Sequence, residues 1–107
     1  MSVPVALNDL PAVIAAYPWG YLLTVSDDLR AHSLAVPTVW RNGTLRASAG
    51  RSTRANIANR PQVTMLFPHP QPGQHSLIVD GTAEVVDDDV VFTPSTAVLH
   101  RPALAGL

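Results

Sequence analysis

Residues 44–67 read TLRASAGRSTRANIANRPQVTMLF, and this stretch holds three elements in succession. Thr44 to Ala49 reads as a strand that Gly50-Arg51-Ser52 breaks. Thr53 to Asn59 reads as a short helix, with Ser52 placed to cap it and Pro61 to stop it. Gln62 to Phe67 alternates Val63, Met65 and Phe67 against Thr64 and Leu66, the period of a half-buried strand. The same stretch is dense in chemistry. Arg46, Arg51 and Arg54 fall within nine residues, interleaved with Ser48, Ser52, Thr53 and Gly50. A helix start offers free N–H groups and partial positive charge, and so favours an anion. Arg51 and Arg54 can grip that anion as forks, with Ser52 and Thr53 adding hydroxyl donors. The blander reading is a capped helix carrying solvated arginines.

Upstream, Asn42-Gly43 is the strongest short hairpin signal, because both central residues of a type I′ turn need positive φ. It pairs Thr44–Ala49 with a strand over Ala31–Trp40, in a register where Trp40 faces Leu45, Val39 faces Arg46 and Pro37 faces Ser48. Pro37 marks an edge, a bulge or a place where the ladder opens. Tyr21 to Ser26 is a further strand ending at the Asp27-Asp28 turn, after Trp19 on a loop. Nearer the start, Leu10, Val13, Ile14 and Tyr17 make one helical stripe, capped by Asn8 or Asp9, with Pro11 in the first turn and Pro18 as the stop.

Downstream, Pro68 to Gly73 is a rigid loop. His75 to Val86 is a long strand with Gly81 at a bulge or bend. Asp87-Asp88-Asp89 is a tight acidic turn, and Val90 to His100 a last strand interrupted near Pro94. Two short helices and six strands joined by short turns predict a mainly β, antiparallel meander that closes into a barrel.

The 107 residues form one domain, 1–107. Cysteine is absent, which excludes disulfides, iron–sulfur clusters and cysteine-based zinc sites. Apolar residues make up 47% and charged residues 14%, so some apolar surface is expected to meet a partner. The net charge is −1 and every basic residue is arginine, an inventory that disfavours nucleic acid. No apolar run approaches the length of a membrane span. Met1-Ser2-Val3-Pro4 lacks the basic start of a signal peptide, so a cytoplasmic protein is the expectation.

Three fragments, taken in order, resemble the pyridoxamine 5′-phosphate oxidase-like family of FMN-binding split barrels. They are YLLTVSDDLRAHSLAVPTVWRNGTL from Tyr21, ASAGRSTRANIANRPQVTMLF from Ala47, and HSLIVDGTAEVVDD from His75. The resemblance spans Tyr21 to Arg101. It implies a six-stranded antiparallel split β-barrel with two short helices, acting as a homodimer with FMN sites at the interface. The family's phosphate stretch at the helix start corresponds to Ser52-Thr53-Arg54, with Arg54 in place of a lysine and Arg51 or Arg46 supplying further charge. Val36, Pro37, Thr38 and Val39 correspond to the strand edge along the flavin ring, Ser48 to a hydroxyl near the ring and ribityl chain, and His75-Ser76 to a polar pair that reaches the cofactor. The family's C-terminal substrate-binding extension has no counterpart here, so pyridoxine metabolism itself is not the expectation. Similar barrels bind the deazaflavin F420 or heme instead of FMN.

Other motifs point less far. His32, His69, His75 and His100 lack metal-ligand spacing, and Asp87-Asp88-Asp89 lacks the spaced oxygens of a calcium loop, so no metal is expected. His100-Arg101 could reach a partner's cofactor across a dimer. Ser26, Ser33 and Ser48 have no nucleophile-elbow context. Two functional classes remain: a flavin-dependent oxidoreductase in which the cofactor does the redox chemistry, and a non-catalytic small-barrel binding module.

Overall fold

The protein is described by a computed structural model over residues 2–103. Its elements are β1 (Ser2–Val5), a 3-10 turn at Leu7–Asp9, α1 (Leu10–Ile14), β2 (Trp19–Val25), β3 (Ala31–Pro37), β4 (Trp40–Arg41), β5 (Thr44–Ser48), α2 (Arg51–Asn59), β6 (Gln62–Phe67), β7 (Ser76–Val86) and β8 (Asp89–His100). All strand pairs are antiparallel, in the order β3-β2-β6-β7-β8-β5-β4. The long β8 lies against β7 along one edge. Its other edge takes β5 over Asp89–Phe92 and β1 over Ala97–His100. One strand with neighbours that change midway curls the sheet into a split barrel.

The expected six strands are eight among the described residues. The stretch 31–40 is two strands rather than one: the Thr38 amide still bonds the Pro18 carbonyl opposite it at 3.0 Å, but Pro18 has no N–H to return, and the β2–β3 ladder ends there. β1 was not foreseen, and Trp19 opens β2 instead of lying on a loop. Helix α2 starts at Arg51, two residues early. Gly50 is its N-cap in extended geometry, and Ser52 lies inside the first turn. The acidic turn keeps Asp87-Asp88, while Asp89 already belongs to β8.

The hairpin forms as the Asn-Gly pair requires, with φ of +53° at Asn42 and +79° at Gly43, and Trp40 faces Leu45. At Gly81 the β7–β8 register shifts opposite Pro94. A Cβ there would run into the Thr93 carbonyl and stand 2.9 Å from the Phe92 ring, so glycine allows the bend. Inside the curl lie Leu22, Met65, Phe67, Leu77, Val79 and Phe92, capped by Leu10 and Ile14 of α1 and Ile57 of α2. Phe67, Leu77 and Val79 are fully buried; each such side chain contributes about 1.5–3 kcal/mol through removal from water. Asn56 of α2 donates to Thr24 Oγ1 at 3.0 Å, a buried polar link that fixes the helix against β2.

Candidate functional site

The sheet does not close between β3 and β5. The Arg46 amide bonds the Val39 carbonyl at 3.3 Å, which extends the β4–β5 hairpin by one pair and does not join β5 to β3. Over this opening, on the outer face, lies a cleft of about 550 Å³. Pro37 and Val39 form one wall, the β4–β5 hairpin contributes Arg41 and Thr44, and the floor is Arg46, Ser48, Asp89 and Val91. The floor follows from register. Ser48 is directly opposite Asp89, and Arg46 is directly opposite Val91, so alternate residues of β5 and β8 share the outer face.

Asp89 is the electrostatic centre of the floor. Arg46 Nε donates to its Oδ2 at 2.9 Å and Ser48 Oγ to its Oδ1 at 3.2 Å. The hydrogen bond from Arg46 holds the Asp89 carboxyl below the usual carboxylate range; the Ser48 hydroxyl adds to this, against partial desolvation. At neutral pH the floor is an ionised carboxylate pinned from two sides.

Past Ser48 the chain enters α2. Arg51 and Ser52 are exposed, and Thr53 and Arg54 half-buried. Arg51 has no ion-pair partner among the described residues. Arg54 turns back to donate to the Ala49 carbonyl at 2.5 Å and stands 4.0 Å from Asp88. The structure thus gathers Pro37, Val39, Arg46 and Ser48 at one cleft, with Arg51 to Arg54 following at its β5 end. Val36 is buried behind the wall. Thr38 Oγ1 is buried beside the opening without a hydrogen-bond partner, the one such side-chain atom among the described residues.

His75 and Ser76 lie elsewhere. Ser76 pairs with His100 at the far end of β8, while Asp89 begins that strand. Eleven positions at about 3.3 Å each separate those ends, so one chain cannot bring His75-Ser76 to the cleft. At that far end Ser2 Oγ and His100 Nδ1 are 3.2 Å apart, and Tyr17 donates its hydroxyl to the His75 carbonyl at 2.7 Å. Burial pushes the Tyr17 phenol up, which keeps it a donor.

One row of the outer face between these two ends is apolar, beside a polar row of Thr64, Asp80 and Thr96. Ala35, Tyr21, Leu66, Ile78, Val98 and Pro4 stand in register across six strands. All are exposed or half-exposed. Trp19, 40% exposed, pairs with Pro37 and joins this row to the cleft wall.

Sequence reasoning missed Asp89, Arg41, Thr44 and Val91 as cleft residues. Asp89 had been absorbed into an acidic turn, and its place opposite Ser48 depends on a strand pairing between positions 41 residues apart. Arg41 and Thr44 flank the Asn-Gly turn and could have been placed beside the opening that Pro37 marks.

No protein-family model matches the chain. Uncharacterized proteins of Mycobacterium bovis and Mycobacterium tuberculosis are each 40% identical over 116 residues, covering 92% of this chain and 82% of theirs. Among solved structures, a Listeria innocua protein assigned as a pyridoxamine 5′-phosphate oxidase has a TM-score of 0.69 at 18% identity, covering 87% of this chain and 96% of its own. The FAD binding protein of Mycobacterium smegmatis has a TM-score of 0.67 at 19% identity, covering 94% and 100%. The fold also resembles an F420 reductase, with a TM-score of 0.60 at 21% identity over 85% and 92%. It further resembles HutZ, the heme storage protein of Vibrio cholerae, with a TM-score of 0.61 at 15% identity over 88% and 93%.

Proposed function

The chain belongs to one family with the two mycobacterial proteins and has the split-barrel fold of pyridoxamine 5′-phosphate oxidase-like proteins; from that premise we propose that it binds FMN as a flavin-dependent oxidoreductase. The observation that supports this reading most is the cleft over the β3–β5 opening, followed along the chain by an arginine-bearing helix start.

The residues fit the group. A cleft of about 550 Å³ is of the size that takes a cofactor ring. Pro37 and Val39 offer an apolar edge, and the orphaned Thr38 hydroxyl lies between them. Arg51, Ser52, Thr53 and the first N–H groups of α2 would receive the phosphate, where dipole and guanidinium act in the same sense. Arg54, tied to the Ala49 carbonyl, contributes its charge from a fixed position. Bound FMN supplies the hydride or electron transfer, and the protein's work is to orient it and exclude water.

The functional unit in this reading is a homodimer. A second copy packed on the Tyr21–Leu66–Ile78–Val98 row would cover the cleft, which opens on the same face, and would bring its own His75-Ser76 and His100 within reach. A cytoplasmic setting agrees with the absence of cysteine. No helix among the described residues is long and apolar enough to cross a membrane.

A second reading keeps the barrel and changes the ligand to F420 or heme, because structures of this fold are an F420 reductase and a heme storage protein. A third is a non-catalytic carrier. The visible spectrum of the purified protein, followed by titration with FMN, F420 and hemin, decides among them. The expected result is saturable FMN binding at micromolar concentration with flavin's two visible bands. Saturation by hemin alone or by none of the three overturns the flavin reading.

A further inference from the structure

The cleft floor is built around an anion, which is unusual for a site whose expected ligand carries a phosphate. An ionised carboxylate has about four acceptor positions. Arg46 and Ser48 occupy one on each oxygen of Asp89, so about two remain, on a side chain one-third exposed in the cleft. Held from two sides, this carboxylate has lost the freedom that a binding partner would otherwise have to remove. Its pairing also neutralises Arg46, so Arg46 is not left as a phosphate clamp. Glu84, one strand over beside Val91, adds further negative charge to the same face, and Arg41 is the other cation lining the cleft.

An anion-rejecting, acceptor-rich floor beside an apolar wall selects a ligand that carries hydroxyl donors next to a flat ring. The geometry points to Asp89 as the residue that recognises a polyol chain, accepting hydrogen bonds from ligand hydroxyls while Arg46 and Ser48 hold it in place. This rests on the flavin reading above and deepens it. The ribityl chain would lie over Asp89 and Ser48, the ring against Pro37 and Val39, and the phosphate beyond the floor at the start of α2. The same carboxylate works against a porphyrin, which has no hydroxyls and carries propionate charges of Asp89's own sign.

The test uses riboflavin, which has the hydroxyls and no phosphate, and lumiflavin, which has the same ring and neither. Equilibrium titration by flavin fluorescence reads both on the intact protein. Wild type is expected to bind riboflavin about 10- to 100-fold more tightly than lumiflavin, the worth of hydroxyls donated to a charged acceptor. Asp89→Asn, which keeps shape and removes charge, is expected to bring that ratio below about threefold and to leave lumiflavin affinity within about twofold. A ratio near one in wild type, or one unchanged in Asp89→Asn, overturns the role of Asp89 while FMN binding stands. Failure of FMN, riboflavin and lumiflavin alike to bind overturns the flavin reading and this inference with it.

Discussion

The two halves of this sheet are built to opposite specifications. In β6–β7–β8 the ladders run long and the inner residues Phe67, Leu77 and Val79 are fully buried. At β3, β4 and β5 a proline interrupts the ladder, no strand pairing joins β3 to β5, and Arg41, Arg46 and Ser48 are exposed. The closed half holds the fully buried Phe67, Leu77 and Val79, and the open half carries the cleft of about 550 Å³. A binding site placed where the ladder is already broken costs the fold little, because few buried contacts were ever made there. Substitutions should therefore separate into those that change melting and those that change ligand affinity.

The largest effect is expected in the closed half. Phe67→Ala should destabilise the protein by about 3–5 kcal/mol, through lost burial and the cavity left behind; chemical denaturation measures it, and a loss below about 1 kcal/mol would remove the distinction between the halves. Next comes the outer face of that same half. Ile78→Arg should leave the denaturation midpoint nearly unchanged yet weaken self-association by about 3 kcal/mol, the order of burying an unpaired charge at an interface. Sedimentation reads this, and a variant that remains as dimeric as wild type would show that the Tyr21–Leu66–Ile78–Val98 row is not the contact. In the open half, Arg54→Ala should reduce FMN affinity by about 1.5–3 kcal/mol, the scale of a charge-assisted hydrogen bond. Its effect on stability should be the smaller of the two, and an unchanged Kd would take Arg54 out of the phosphate site.

The smallest effect concerns pH. Asp89 has its carboxyl lowered in the folded chain by Arg46 and Ser48. Its stabilising contribution is therefore complete above the ordinary carboxylate pKa of about 3.9 and fades as pH falls through the lower folded value. Melting of wild type and Asp89→Asn should differ near neutrality and converge under acid. A gap that persists at low pH would mean that Asp89 acts through packing rather than charge. Because the side chain is exposed, the difference at neutrality should be modest.

How much of this was legible in the sequence also divides along the two halves. The Asn42-Gly43 turn, the alternation of β6 and the bend at Gly81 are local patterns, and each appears where it was read; the stripe read for α1 is turned inward, but the helix ends at Ile14 and Tyr17 lies beyond it. The helix start was legible as chemistry but not as geometry. Ser52 is the better capping residue, yet Gly50 takes the position, because α2 starts two residues earlier than read and Ser52 falls inside its first turn. The site's floor was the least legible part. Arg46 and Ser48 were identified, but the carboxylate that holds them comes from another strand, and no spacing along the chain encodes that meeting. His75-Ser76 could be recognised as polar and still not be placed, since their distance from the cleft is a property of β8's length.

Strand β1 has a consequence for how the chain is made. Ser2 pairs with His100, 98 positions later. At roughly 5–20 residues per second of synthesis, β1 leaves the ribosome about 5–20 seconds before the strand it pairs with. During that interval Val3 and Val5 have no sheet to join. Pairing of such distant segments is also the slowest class of contact to form. β1 is therefore the last strand to arrive on the barrel, and for those seconds the nascent chain displays the free edge of β8's future neighbour to whatever binds extended peptide.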